Sequence, residues 1–560
     1  MEIISGTIVW IIFITLIMSY GLFPKKQKDD SDLLIILVNG LVNFSIFSYF
    51  LSLFLKVNNE FRLILVLVAA INLIRLSKLK FYSSISKITT IVISLLIIGY
   101  FSTSFPTNID SINYHYSIIE IHKNFNLIFG IGNLNPHYAL DSQIFITSAI
   151  LDILPNIFIG SKFANGLYVA IYVIICLEIF ESKRYSEMVK TYFSLTLGII
   201  LVHSFSNPSL WLSSPAQDLT ALILVFLVIG IMLMGNSLRQ QKYYYLCLNL
   251  VFVSVLYRFY IIALGIILFA YLIKYRKIEL RKTYPIPLIS VLLVAINNIK
   301  NTGYPFYPSD LLRSNAIWVM NQTSISEIYQ GIANWQQNNL IGDTSRFSQF
   351  NFSFIVQAIL NDGLFALTIT GIGIGSLILI LQWKFGKNRG SIQVKFYYHL
   401  LLLNLLNLLL IYTISPQFRF LWSSMWMVQI FLFQIIVLNM FSLSQSKIKT
   451  VLRKFIPMLP LFILMAHIIL VKLIFPHSIF ESFNKSSYNV VKSNTNIEEE
   501  RNKLKSSIGK AIKNGNITIN VVNSDGCGYT KQFCVAKNVP VINFINLDKF
   551  LTMITIDNKS

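Results

Sequence analysis

The stretch NIDSINYHY, Asn108 to Tyr116, sets a carboxylate, an imidazole, two phenols and two amides within nine positions, directly after a long apolar run. A carboxylate so placed can take the proton of an acceptor hydroxyl as general base, and the imidazole of His115 can hold or relay one. The continuation GIGNLNPHYALDSQ, Gly130 to Gln143, adds Asn133, His137 and Asp141. Four more polar groups lie downstream. They are NPSLWLSSPAQDL with Asp218, YRFY with Arg258, NNIKNTGYPFYPSDL with Lys300 and Tyr304, and SPQFRFLW with Arg419. Arginine grips phosphate oxygens bidentately and stabilises charge that grows on a departing phosphate. A base and two fixed guanidinium groups together suit an acceptor hydroxyl attacking a donor that leaves as a phosphate.

What positions these groups is a membrane. The chain has 560 residues, 54% hydrophobic and 13% charged, and its mean hydropathy is +0.63. Soluble domains carry roughly a quarter charged residues. Apolar runs recur as about fourteen candidate spans, each near the length that crosses a hydrocarbon core of roughly 30 Å. They fall near residues 4–22, 33–55, 62–76, 86–104, 163–181, 192–205, 219–235, 244–256, 259–273, 285–299, 363–383, 397–414, 421–442 and 456–474. The first run lacks a basic flank and a small-residue cleavage site, so it reads as a retained helix.

The net charge of +21 would suggest nucleic acid in a soluble protein. Here the Lys and Arg residues concentrate in short loops between alternate spans, which reads as topology, with no nucleic-acid partner. By the positive-inside rule the long segments, near 105–162, 206–218 and 300–362 and the tail from 477, face away from the cytoplasm. That parity requires the short apolar stretch Gln143 to Leu154 not to cross, and it reads as a helix lying at the outer interface. All five polar groups then share one side. The expected fold is an all-α polytopic membrane protein of about 13–14 helices. Residues 1–476 form the membrane domain, including outer loops 105–162 and 300–362, and 477–560 form a small extracytoplasmic α/β tail.

In that tail, TNIEEERNKLKSSIGKAIKNG reads as a charged helix and NITINVV as a strand. Two of the four cysteines, Cys176 and Cys247, lie in apolar runs, while Cys527 and Cys534 lie together in the polar tail. An outward tail is oxidising territory, so the latter two are a disulfide candidate, with two free thiols as the alternative. Each polar group also has a duller reading. Asp110 can cap the helix that follows; Ser213 or Ser214 can cap the next, with Pro215 in its first turn and Asp218 favouring its dipole. Arg258 and Arg419 can snorkel to headgroups, and Tyr304, Tyr307 and Trp318 can form an interfacial belt. Trp318, Tyr329 and Trp335 offer stacking surfaces for sugars.

A polytopic chain whose first large outer loop opens with an Asp after a span, followed by an amphipathic helix, resembles the GT-C superfamily of membrane glycosyltransferases. The ordered blocks from NIDSINYHY through SSPAQDL, KNTGYPFYPS and SPQFRF to GCGYTKQFC are similar to those of a little-characterised bacterial membrane protein family of that fold. The resemblance implies transfer of a sugar from a polyprenyl-phosphate-linked donor to a glycan or lipid acceptor. It would act at the outer face of the bacterial cytoplasmic membrane, in envelope polysaccharide or glycolipid assembly. It places at Asp110 the acid that acts on the acceptor or a metal, read here as the general base. Arg258 and Arg419 then bind donor phosphate, and His115, His137, Asp141, Asp218 and Tyr304 shape the substrate site. Many members carry a second adjacent acid, where this chain has Ser111, so a divalent metal such as Mg or Mn stays open. The alternatives are a polymerase or ligase of lipid-diphosphate-linked glycans, and a flippase, which should instead hold its ionisable groups at the bilayer midplane.

Overall fold

A chain in hydrocarbon must satisfy every peptide group internally, so its apolar runs fold as helices. The structure, a computed structural model, describes residues 2–22, 32–77, 85–103, 110–153, 160–205, 212–276, 278–279, 285–326, 392–414 and 423–434, with five strands between 508 and 556. The helices are α1 (Glu2–Gly21), α2 (Leu33–Ser52), α3 (Asn59–Ser77), α4 (Ile85–Ser102), α5 (Tyr116–Asn124), α6 (Gln143–Leu151) and α7 (Gly160–Glu181). There follow α8 (Glu187–Phe205), α9 (Gln217–Leu238), α10 (Gln241–Ser254), α11 (Ile261–Arg276), α12 (Pro285–Thr302) and α13 (Ile392–Ile414), with a further helix over 423–434.

Among the described residues, α1, α2, α4, α7 and α9 are each long and apolar enough to cross a membrane. The outer faces of the bundle bear this out: Ile4, Ile8 and Ile11 on α1, Leu63, Leu67, Ile71 and Ile74 on α3, and Leu288, Leu292 and Ile296 on α12 are exposed. Their spacing of three to four residues makes continuous apolar stripes, which water would penalise and lipid accepts. The protein is mostly helical, and it is a multi-pass membrane protein. The expected spans at 363–383 and 456–474 lie outside the described residues.

In lipid, helices associate by close packing, and small residues allow it. A Cβ on Gly40 would stand 2.0 Å from the carbonyl oxygen of Ile17, and one on Gly21 would stand 1.9 Å from that of Ile36. The α1/α2 crossing therefore admits no side chain at either position.

The bundle has two chemically distinct ends. At one, Lys87 pairs with Glu178 at 2.6 Å and with Glu181 at 3.2 Å, Arg184 with Asp32 and Tyr243, and Arg276 donates to Asn236 at 2.6 Å. These residues come from loops that the chain's charge pattern assigns to one side. At the other end gather the polar segments: the first long loop, the turn before α9, the turn between α10 and α11, and the end of α12.

The helix expected at the outer interface is α6, and its setting differs. Its nine residues rise only about 14 Å, too short to cross. Yet every one of them is buried, packed among α2, α5 and α7. QIFITSAIL carries no charge, and its polar side chains are spent inside the protein: Gln143 donates to Ser48 at 2.8 Å, Thr147 lies 3.2 Å from the Tyr168 hydroxyl and Ser148 donates to the Ile144 carbonyl at 2.7 Å, so the helix is enclosed by protein and offers no polar face to headgroups. Arg62 of α3 closes its C-terminus, donating to the carbonyls of Ala149, Ile150 and Asp152 at 2.9, 3.2 and 3.0 Å. That satisfies acceptors a helix end leaves open.

The tail departs further from expectation. Residues 508–514, read from sequence as part of a charged helix, form strand β2, antiparallel to β3 (Ile517–Val522). Asn514 pairs with Ile517, and the Gly-Asn dipeptide between two such segments favours a tight hairpin over a continuing helix. β4 (Phe533–Ala536) adds parallel to β3. β6 (Leu551–Ile556) pairs antiparallel with β5 (Ile542–Asp548) and parallel with β1 (Leu127–Phe129), in the register Leu127 to Leu551. The tail's strands thus do not mark it off as a unit of its own, because one of its sheets is completed by the first long loop.

Candidate functional site

Asp110 begins a five-residue π-helical turn, Ser111–His115, closed by the Tyr116 amide donating to the Ser111 carbonyl. Such turns inside α-helices are rare and frequent at functional sites. The backbone of Asp110 is itself helical and its side chain makes no capping bond, so the helix-cap reading fails. The extra residue of the turn rotates the side chains after Asp110 relative to those of α5. Ser111 Oγ is thereby brought 2.5 Å from Ser214 Oγ and 3.4 Å from His115 Nδ1.

The second group folds around that contact. Ser214 does not cap α9, whose N-cap is Ala216; it receives the Ala216 amide at 3.2 Å and faces Ser111. Asn165 of α7 donates to the carbonyls of Ser214 and Ala216 at 2.6 and 2.9 Å. Gln217 reaches the Leu140 carbonyl at 3.0 Å, tying this turn to the first loop. Asp218 in the first turn of α9 faces Arg258, whose Nε and Nη2 both donate to one carboxylate oxygen, at 3.0 and 2.7 Å. The side chains are 3% and 13% exposed, so this is a desolvated pair and Arg258 is not a headgroup snorkel.

Arg258 rides on a fixed turn. Tyr257 OH lies 2.7 Å from Ser45 Oγ and 2.8 Å from Tyr168 OH, while its carbonyl accepts from Ser142 Oγ at 2.7 Å. The Gln143 backbone amide donates to the Leu256 carbonyl at 2.9 Å. The third group is thereby stitched to the first.

Asp141 is the centre of a second knot. Its Oδ1 receives His122 Nε2 at 2.8 Å and the Ser142 amide at 2.7 Å, and its Oδ2 receives Asn297 Nδ2 at 3.1 Å. Burial alone would push the carboxyl up, but His122, Lys300 and the Ser142 amide outweigh it and hold the group below its ordinary value. Tyr138 nearby is pushed up to about 12 by burial, so it remains a neutral phenol.

His115 and His137 sandwich Tyr114: its ring meets His115 edge-on at 4.5 Å and stacks on His137 at 5.2 Å, with His115 also 5.0 Å from Phe145. His137 remains exposed. Tyr304 is fully buried beneath the loop after α12, with its hydroxyl donating to the Met320 carbonyl at 3.3 Å. It packs with Tyr307, Met320, Ile325 and Ala139, away from any open surface. That loop lies over the first one: Tyr307 OH donates to Pro136 at 2.8 Å, Asn133 to Trp318 at 2.9 Å, and Gly130 to Lys300 at 2.8 Å.

Four of the five polar groups therefore converge at one end of the bundle. The fifth, with Arg419, lies outside the described residues, as does Cys527; Cys534 lies in β4, its backbone registered with Asn520. Among the described residues, no three His, Cys, Asp or Glu side chains come together as a metal site. Sequence reasoning missed His122 as a partner of Asp141. The available signal was its position on α5, where it follows Ile118 and Ile119 on the buried face.

No curated protein and no solved structure matches the chain. One family model does, described as a domain of unknown function, over residues 3–426, which take in the helical bundle and both polar knots. With well over half of its length so matched, the chain belongs to the DUF8201 family.

Proposed function

We propose that the protein is a membrane glycosyltransferase of GT-C type. It transfers a sugar from a polyprenyl-phosphate-linked donor to a glycan or lipid acceptor at the extracytoplasmic face, during envelope polysaccharide or glycolipid assembly. The observation that carries this reading is the convergence of Asp110, the Ser111/Ser214 contact and the Asp218/Arg258 pair at the end of the bundle opposite the basic loops. The basic end faces the cytoplasm by the positive-inside rule, so the site faces out. A polyprenyl tail lies in the bilayer while its phosphate reaches the site from the membrane edge.

In the reaction, an acceptor hydroxyl oxygen bonds to the anomeric carbon as the bond from that carbon to the phosphate oxygen breaks. Asp110 takes the hydroxyl proton and the polyprenyl phosphate departs with the bonding pair. Arg258, oriented by Asp218, stabilises the charge on the leaving phosphate, joined by Arg419. His115, His137 and Asp141 shape the substrate site around them, and Tyr304 holds the covering loop.

The test is transfer by purified protein in detergent, offered radiolabelled polyprenyl-phosphate sugar and a membrane glycan extract. Wild-type protein is expected to move label into the acceptor and release polyprenyl phosphate. Asp110→Asn should slow transfer by about 10²- to 10⁴-fold, the usual share of a general base. Full activity in that variant would remove Asp110 from the chemistry.

A further inference from the structure

The loop after α12 has a core of its own and a tip that the core leaves out. Tyr304, Tyr307, Met320 and Ile325 are buried together with Ala139. The base of the loop is fastened to the end of α12: the Ser314 amide donates to the Gly303 carbonyl, the Met320 amide to the Thr302 carbonyl and the Trp318 indole to the Ile299 carbonyl, each at 2.9 Å. Between these anchors Leu311, Leu312 and Ile317 stand 62%, 72% and 72% exposed. Leu312 has a φ of 59°, a left-handed conformation that a bulky side chain adopts only at a cost. The fold therefore holds these three side chains out while it buries their neighbours, an arrangement that water penalises.

Their counterparts elsewhere say what covers them. Among the described residues, the other large apolar side chains exposed beyond 60% are Ile4, Ile71, Ile74, Ile85 and Leu402, and all of them lie on helices of the bundle. The tip continues one such surface. Leu288, Leu292 and Ile296 form the exposed stripe of α12, and Trp318, bonded to Ile299 just beyond that stripe, is followed outward by its neighbour Ile317. A soluble partner seated on Ile317 would have to share that edge with the bilayer. Tryptophan with a satisfied indole N–H is also the side chain favoured where hydrocarbon meets headgroups.

Charge agrees with that placement. Arg313 is exposed between Leu312 and Ile317, where its stem can lie with the apolar side chains and its guanidinium can meet a phosphate. The nearby acid, Asp310, accepts from Gln322 at 3.0 Å.

We propose that the tip, residues 311–317, inserts into the bilayer leaflet at this end of the bundle, with Leu311, Leu312 and Ile317 among the first acyl carbons and Arg313 at the lipid phosphates. The arginine sets a shallow depth, about 5–10 Å below the headgroups. The same loop bonds to the first long loop, with Tyr307 donating to Pro136 and Trp318 accepting from Asn133, so the inserted tip moors both loops at the membrane edge. The inference does not depend on the transferase reading.

Full-length protein with Cys527→Ser and Cys534→Ser would carry Leu312→Cys or Ile317→Cys, labelled with the dye NBD; Cys176 and Cys247 are buried. Ile296→Cys is the lipid-facing reference. Each protein is placed as a single copy in phosphatidylcholine nanodiscs. Lipid carrying a nitroxide at acyl carbon 5 should quench both tip labels about twofold or more, and more strongly than a nitroxide at carbon 12 does. Iodide in the water should quench them less than half as well as it quenches free dye. Efficient iodide quenching without quenching by lipid would overturn the proposal, as would stronger quenching from carbon 12. So would shielding that appears only in discs holding two copies, which would assign the tip to a second copy of the chain.

Discussion

Arg258 and Asp218 offer the sharpest quantitative test of the site, because removing one partner leaves a charge that the fold has already taken out of water. Both donated bonds end on a single carboxylate oxygen, and the two side chains are 13% and 3% exposed. Losing one member of such a pair costs about 3–5 kcal/mol. Asp218→Asn keeps an acceptor oxygen in place but strands the guanidinium, and Arg258→Gln strands the carboxylate. Each single change should therefore cost several kcal/mol, while the double change, which buries no lone charge, should cost less than their sum by about 3 kcal/mol.

Thermal unfolding in detergent can be followed with a thiol-reactive dye. Cys176 and Cys247 are fully buried and free, so they react only as the bundle opens. Cys527 and Cys534 would be replaced by Ser to silence the tail. Each single variant should lower the midpoint by a few degrees, and the double variant should recover part of that loss. A coupling below about 0.5 kcal/mol, within the scatter for independent sites, would refute the pair. Activity adds a second reading: the double variant should still lose transfer despite its partly recovered stability, because it lacks Arg258.

Other outcomes follow from the same contacts. Gly40→Val should prevent the α1/α2 crossing, since its Cβ would stand 2.0 Å from a backbone oxygen; the expected result is protein that inserts but fails to give a monodisperse peak on size exclusion. Asp141 is held below its ordinary value, so it contributes stability that is fully present above the unfolded value near 3.8 and is lost as pH falls through the lower folded value. Asp141→Asn should accordingly flatten the acid limb of a stability profile below about pH 4 while leaving its slope near neutrality unchanged. A Leu127→Cys, Leu551→Cys pair should oxidise to a disulfide, as registered neighbours on paired strands, whereas Leu127→Cys with Ile556→Cys should not.

The helices were the most legible part of the sequence. α2 and α4 begin within a residue of where the apolar runs do, because hydrocarbon leaves no choice but helix. α8 begins at Glu187, five residues before its apolar run, because Glu187 in the first turn favours the helix dipole and Lys190 is an adequate helix former. The setting of α6 could not be read, since a nine-residue apolar segment looks the same whether lipid or protein encloses it. At the site, the polar turns were recognisable one by one, and the charge pattern of the loops grouped them on one side. Their pairing was not recoverable, because Asp218 and Arg258 stand 40 positions apart and Ser111 and Ser214 stand 103 apart. The π-turn after Asp110 was also invisible, since an inserted residue in a helix leaves no compositional mark.

The parallel pairing of Leu127 with Leu551 has a consequence for biogenesis. Synthesis runs from the amino end at about 5–20 residues per second, and elements fold as they emerge. The bundle from α1 to α12 can therefore assemble, and its first long loop can fold back over α6, while the tail is still in the ribosome. The strand Leu127–Phe129 must wait until Leu551 has been made before it gains its partner. During that interval the strand presents an open edge, available to any extended peptide nearby. A chain truncated before Leu551 would keep that edge permanently open, which makes β6 a late-acting seal on the first long loop.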